Sequence, residues 1–434
     1  MQDLINEFLG PILGYTIEKY DNVVITKLIN YVNYDLLESH ISTQYVKARY
    51  NIKLPIEFTP LLRYLENVVP AGGKGETEEE SLMGAIGEFL ERFYGYSIFF
   101  DDNTSIFGRV GELKEQFNVL STRYKFFSKE QLRKFFFFKD YSDDAFVTFT
   151  KAISYKDNKT IYVPSQIVYL TDLIRPGEDL IAYATTGGLS YHEDFEKAFL
   201  HGLLEYLERD AINISWISRI SPLKIRIPEK LKRKFKVLEN KDVVCLRFIN
   251  EFKGLFVIGC LGFVNGFYVG GAAADITVED ALRRAIYEVY QSISSFSKVS
   301  DEEIKLAKKL NKDLLVDFGL VPLYYTYVKK EFLMDYLNNL NTVSYEELER
   351  EESLTYKDLV EELLNHGYDI IYKDFNIEKY VGKGKLIRVI IPDLTPAHIP
   401  YLPFLGHERY YNIRKIMGLK EEVELFTDEP VPFP

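Results

Sequence analysis

Gly84-Ala85-Ile86-Gly87-Glu88-Phe89-Leu90-Glu91-Arg92 and Gly202-Leu203-Leu204-Glu205-Tyr206-Leu207-Glu208-Arg209 decide how this chain is read. Wound at 3.6 residues per turn, the first segment sits in a helix from about Glu78 to Tyr94. Leu82, Met83, Ala85, Ile86, Phe89, Leu90 and Phe93 cover most of its circumference. The remaining stripe holds Ser81, Gly84, Glu88, Glu91, Arg92 and Gly95 at helical spacing. A helix apolar nearly all round is buried, so this stripe is expected to face a cavity rather than bulk water. The second helix, from about Asp194 to Ile214, repeats the design with Phe199, Leu200, Leu203, Leu204 and Leu207 against Glu205, Glu208 and Arg209. A third, capped by Thr277 and running to about Ser295, presents Arg284, Glu288 and Gln291, flanked by Leu282, Ala285, Ile286 and Val289.

One such helix on its own reads as a surface element with i,i+4 ion pairs, each worth under about 1 kcal/mol. Three of them, each otherwise apolar, point elsewhere. Five carboxylates share a dry centre only when cations neutralise them. Hard divalent ions such as Mg²⁺ take carboxylate and phosphate oxygens together, and arginines beside them grip phosphate by paired hydrogen bonds. The combination predicts a nucleotide triphosphate site built on helices. The shared Glu–aromatic–Leu–Glu–Arg form, each copy following a glycine turn, also allows a duplicated half with a pseudo-twofold site.

The surrounding chain sets limits. At 434 residues it has room for two or three packed lobes. Its 47% apolar and 27% charged residues are ordinary for a soluble globular protein. A net charge of −12 disfavours nucleic-acid binding through a basic surface. The basic run Lys230 to Lys236 reads as a solvated helix face. Cys245 and Cys260, the only cysteines, sit among apolar residues without CxxC spacing, so they are expected as buried thiols in a reducing cytoplasm. Met1 to Gly10 carries acids and no basic n-region, and no run approaches a membrane span. Phe135 to Phe138 is expected as a buried strand or helix turn.

Coarse organisation follows from turns and periods. The first 65 residues read as mixed strand and helix; glycine turns stand at Ala71–Gly75 and Thr185–Gly188. Leu255–Phe263 and Phe267–Ala274, split by Asn265-Gly266, predict a hairpin. Helices are expected near 301–311 and 354–366, and a strand over Leu386–Ile391. Familiar phosphate motifs are missing. Gly73-Lys74-Gly75 lacks the leading glycine and Ser/Thr of a Walker A loop. Asp317-Phe318-Gly319 has no kinase catalytic loop to accompany it. His192 belongs to no metal-binding histidine pair.

These residues resemble the YcaO family. Gly73-Lys74-Gly75 with Gly84 to Arg92 looks like its first ATP-binding block, Thr186-Gly187-Gly188-Leu189 with Gly202 to Asp210 like its second, and Ala281 to Gln291 like its third. The blocks stand in the family's order, over roughly residues 65 to 434. The resemblance implies an α+β YcaO fold of mixed sheets and packed helices, with residues 1–65 its N-terminal segment and 66–434 its catalytic region. It implies ATP and Mg²⁺ as cofactors, with Glu88, Glu91, Glu205, Glu208 and Glu288 as metal ligands. Lys74, Ser81, Arg92, Arg209, Arg284 and Gln291 would contact phosphates or order those ligands. Gly84 stands where a serine is usual, Gly187 where an asparagine is usual, and Lys197 where an acid is common, which leaves the number of metals open.

The tail, Pro430-Val431-Pro432-Phe433-Pro434, is similar to the PxPxP terminus of azoline-forming members. Stiff polyproline geometry would aim the Pro434 carboxylate into the site at low entropic cost, there to orient or deprotonate the substrate; a frayed end is the plain alternative. The expected reaction is ATP-dependent cyclodehydration of Cys, Ser or Thr in a ribosomal precursor peptide. Expected partners are that peptide, a leader-binding protein related to ubiquitin-activating enzymes and a flavin-dependent azoline dehydrogenase; a homodimer is also allowed. Backbone thioamidation with a sulfur-delivery protein and a non-catalytic scaffold are the rival readings.

Overall fold

The computed structural model describes residues 12–30, 71–95, 105–170, 177–296, 299–315, 317–351, 354–420 and 429–433. Three sheets form its frame. Strands β1 (Ile12–Tyr20), β2 (Val23–Asn30) and β3 (Gly72–Gly75) make a small antiparallel sheet. Strands β4 (Ser105–Arg109), β5 (Phe146–Ser154), β6 (Thr160–Pro164) and β7 (Leu189–His192) belong to a second sheet. Strands β8 (Leu223–Arg226), β9 (Val243–Phe248), β10 (Phe256–Val264), β11 (Phe267–Asp275) and β12 (Thr342–Ser344) make the third, ordered β11-β10-β9-β8-β12. Strands β13 (Ile371–Asp374) and β14 (Lys385–Ile390) complete the second, ordered β4-β5-β13-β14-β7 with β6 on β5. Among the described strands, the pairing of β12 on β8 is parallel and the others are antiparallel. The architecture is α+β, as the sequence leads one to expect.

Four helices position the site and the tail beside it: α1 (Glu78–Gly95), α2 (Phe195–Ile217), α3 (Val278–Phe296) and α4 (Leu320–Tyr327). Local chemistry sets their ends. The Asp194 side chain accepts from the Lys197 N–H at the start of α2, and Thr277 Oγ1 accepts from the Asp280 N–H at the start of α3. Between β10 and β11 the Asn265-Gly266 turn has φ of 51° and 84°, the signature of a two-residue hairpin, with Val264 paired to Phe267. α2 packs between β14 and the β10–β11 hairpin and is buried for most of its length. α3 covers the opposite face of that hairpin.

Two expectations change. Cys245 and Cys260 are registered partners across β9 and β10 and form a disulfide, so they are not free thiols. Phe135 and Phe138 are buried after a short helix, but Phe136 is 81% exposed, because the chain turns there and cannot bury every ring of the run. Among the described residues no helix is long and apolar enough to cross a membrane.

Candidate functional site

The glutamate stripes of α1, α2 and α3 meet where β3, β7 and β11 end or leave an edge. Each block is built by close backbone approach. A Cβ on Gly73 would stand 1.8 Å from the Ser81 carbonyl oxygen of α1, and one on Gly202 of α2 2.8 Å from the Gly188 oxygen. Only glycine lets these turns lie against their helices.

Four of the five glutamates use one carboxylate oxygen to hold a backbone N–H. Glu88 accepts from Gly72 at 2.7 Å, Glu91 from Tyr191 at 2.7 Å, Glu205 from Gly188 at 3.2 Å and Glu288 from Ala272 at 3.0 Å. These bonds fix each side chain's direction, much as outer partners orient metal ligands. On α3 the stripe runs along the outer edge of β11. Arg284, Glu288 and Ser292, one turn apart, meet the Ala274 carbonyl and the Ala272 and Gly270 N–H groups. The edge strand is thereby covered by side chains instead of a further strand.

Basic groups stand among the carboxylates. Lys74 Nζ lies 2.8 Å from Glu288 Oε1 and 3.2 Å from Gln291 Oε1. Arg92 pairs with Glu88 at 2.6 Å, Arg209 Nε lies 3.5 Å from Glu208, and Arg284 meets Asp275 at 3.2 Å. The Lys74 and Glu288 side chains remain 32% and 33% exposed, so the recess is open to solvent on that side, while Glu208 lies buried within it. Burial and the nearby Glu205 and Glu88 push the Glu91 carboxyl well above the usual carboxylate range. Burial, with Glu288 and Glu205 opposing Arg209, pushes Glu208 up to about 8. Burial works to raise Glu288, but Lys74, Arg209 and the Ala272 N–H together hold it below its ordinary value. These mutual influences place the stripes of all three helices around one recess.

Hard oxygen donors with crowded, self-repelling charge fit a divalent cation. Among the described residues no three acidic, histidine or cysteine side chains already stand together as a metal-binding group; the lysine and arginines do the neutralising. Glu88, Glu91, Glu205, Glu208 and Glu288 would hold Mg²⁺ here. Ser81 behaves differently from the expected phosphate contact. It is fully buried, 2.8 Å from the Thr26 hydroxyl and 3.0 Å from the Gly73 carbonyl, and it fastens β3 to α1. Lys197 pairs with Asp194 at the start of α2. Pro434 lies outside the described residues.

The structure adds two residues that the sequence reading passed over. His201 precedes Glu205 by one turn of α2 and reaches solvent; the protein crowded around it, with Arg284 and Lys74 nearby, holds its imidazole below its ordinary value against the opposing charge of Glu288. Its i, i+4, i+7 spacing with Glu205 and Glu208 was the available signal. Arg388 on β14 is buried and donates to the Val168, Thr185 and Gly187 carbonyls, shaping the second glycine turn. Nothing in the local sequence marks it.

Residues 72–395 match the model of the YcaO cyclodehydratase family, described as ATP- and Mg²⁺-binding. No curated protein matches the chain. Among solved structures, YcaO from Methanopyrus kandleri bound with AMPPCP and Mg²⁺ is similar with a TM-score of 0.59 and 17% identity, over 91% of this chain and 88% of that one. The Escherichia coli microcin synthetase McbBCD complex gives a TM-score of 0.63 at 15% identity, over 97% and 96%. A heterocyclase in complex with substrate and cofactor gives 0.71 at 15% identity, over all of this chain but 57% of that one, so this chain spans little more than half its length.

Proposed function

The chain belongs to the YcaO cyclodehydratase family, ATP- and Mg²⁺-binding, and from that premise we propose that it cyclises Cys, Ser or Thr residues of a ribosomal precursor peptide to azolines. The peptide's own side chain loses its proton and attacks the preceding backbone carbonyl, and the resulting oxyanion takes the γ-phosphoryl group of ATP as ADP leaves. Phosphate then departs with the former amide oxygen as the amide N–H proton is lost, which leaves the C=N bond of the azoline. The observation that carries this reading is the convergence of five glutamates from three helices, four of them oriented by backbone N–H groups. Mg²⁺, when bound, supplies the charge that lets these carboxylates and the phosphates share one recess. Lys74, Arg92, Arg209 and Arg284, with Gln291 beside Lys74, are the groups for orienting phosphate oxygens, by positioning and charge stabilisation.

Residues 66–434 form the catalytic region in this proposal and residues 1–65 the N-terminal segment of the same fold. Pro434, last in this sequence, follows a docked tail and supplies a carboxylate to orient or deprotonate the substrate. A leader-binding protein delivers the peptide by raising its effective concentration, a flavin dehydrogenase acts on the product, and the reaction proceeds in the cytoplasm, where ATP is supplied. Mass spectrometry of a Cys/Ser/Thr-rich precursor incubated with the chain, a leader-binding protein, ATP and Mg²⁺ tests this. Loss of one water per ring with matched phosphate release is expected. Exchange of amide oxygen for sulfur, on adding a sulfide source, would replace azoline formation with thioamidation.

A further inference from the structure

Glu429 to Phe433 are threaded into the core: Val431 and Phe433 are buried at 7% and 4% exposure. Prolines 430 and 432 carry no N–H, so their carbonyls are the only backbone handles they offer. Three aromatic donors from three elements take successive handles. Trp216 Nε1 of α2 donates to the Glu429 carbonyl at 2.7 Å, Tyr325 of α4 to Pro430, and Tyr268 of β11 to Pro432. Lys329 and Tyr324 hold the Glu429 carboxylate at 2.5 and 2.7 Å. At the inner end the Phe433 ring packs edge-on to Phe248, centroids 5.4 Å apart, and fills the place where Gly259 has no side chain. A Cβ on Gly259 would lie 2.6 Å from that ring. Gly259 is the registered partner of Ala272, whose N–H is held by Glu288. The Phe433 ring therefore lies against the strand next to the one whose backbone Glu288 holds.

We infer that Trp216, Tyr325 and Tyr268 form a hydrogen-bond ladder that sets the axial register of the tail from Glu429 to Phe433. They are positioning residues. Tyr268 and Tyr325 are themselves fully buried, so each hydroxyl has a fixed direction, and the carbonyl it meets is one a proline cannot move by rotating φ. The Gly259 gap seats Phe433 and sets the depth; the three donors stop the segment from sliding. This rests on the proposal that the tail is a working part of the site.

The test compares the full chain with Tyr268→Phe, Tyr325→Phe and the double variant, each losing one or both hydroxyls and no ring. Because the prolines carry no N–H, hydrogen exchange at Val431 and Phe433 reports the tail directly. The double variant is expected to exchange faster at those two amides while α2 and β10 keep native protection. Its kcat on a precursor peptide that the native chain modifies falls about tenfold or more, as misplacement at a site run by positioning costs, while KM for ATP stays within about twofold. Native exchange at both amides would overturn the ladder. Faster exchange with native kcat would overturn the positioning role by sinking the tail reading beneath it, and a chain with one Gly added after Pro434 would then also be fully active. Should the double variant fail to fold, Tyr325→Phe alone gives the same readout at one carbonyl.

Discussion

Glu88-Phe89-Leu90-Glu91-Arg92 on α1 and Glu205-Tyr206-Leu207-Glu208-Arg209 on α2 carry the same signature into different work. Their leading glutamates behave alike: Glu88 holds the N–H of Gly72 and Glu205 that of Gly188, each in its own glycine turn. Their second glutamates diverge. Glu91 reaches across to Tyr191 on β7, so the first block braces the second. Glu208 instead stands beside Arg209 and faces Glu288 and Glu205, and its carboxyl is pushed up to about 8. The arginines diverge too. Arg92 closes an i,i+4 pair with Glu88 at 2.6 Å, whereas Arg209 lies 3.5 Å from its immediate neighbour Glu208. An internal repeat can thus divide labour. The first copy ties the halves together as well as burying a carboxyl that needs a cation, and the second presents its carboxyl to the third helix.

The sharpest break between the two copies comes from removing their second glutamates. Glu91→Ala and Glu208→Ala are each expected to cut peptide-dependent ATP hydrolysis by on the order of a thousandfold, since each removes charge from a preorganised site. They should differ in stability without Mg²⁺. Glu91→Ala leaves the Tyr191 N–H without its acceptor, a loss of about 1–3 kcal/mol, and lowers the melting temperature. Glu208→Ala relieves repulsion and leaves the melting temperature unchanged or higher. Equal losses of stability in thermal melts would erase the distinction.

A smaller effect is expected at the tail, which approaches the recess from the side of the second and third blocks. One Gly added after Pro434, or deletion of Pro432 to Pro434, should slow ring formation about a hundredfold while sparing ATP affinity. Native ring formation by both variants, followed by mass, would mean the tail only packs.

The smallest effect is one of pH. Because the Glu208 pKa in the fold lies above its ordinary value, its stabilising contribution is full below about 4.5 and is lost as pH rises towards about 8. Metal-free protein should therefore lose stability across that window, by at most about 1.4 kcal/mol per pH unit from this group. Glu208→Gln should flatten the slope. Identical slopes in denaturant titrations of the native chain and Glu208→Gln would contradict the raised Glu208 carboxyl.

Much of this was legible in the sequence because it is periodic or local. The 3.6-residue stripes located α1, α2 and α3, Thr277 announced its cap, and Asn265-Gly266 announced the hairpin. Partners distant in sequence were not legible. Nothing near Glu91 points to the N–H of Tyr191, one hundred residues on. The inward turn of Ser81 depends on Thr26 and on how closely Gly73 approaches α1. The Cys245–Cys260 bond depends on the register between β9 and β10. The tail looked the same whether frayed or docked until Trp216, Tyr325 and Tyr268 were seen to gather around it.

The claim that the recess is the ATP–Mg²⁺ site is tested most directly by calorimetry of ATP binding to the native chain and to Glu208→Gln, with and without Mg²⁺, in buffers of different ionisation heat. The account predicts Mg²⁺-dependent binding by the native chain near pH 7, with net proton release to the buffer as the cation displaces the Glu208 proton, and weaker binding without that release by Glu208→Gln. Equal affinity for both proteins, or binding indifferent to Mg²⁺, would contradict it.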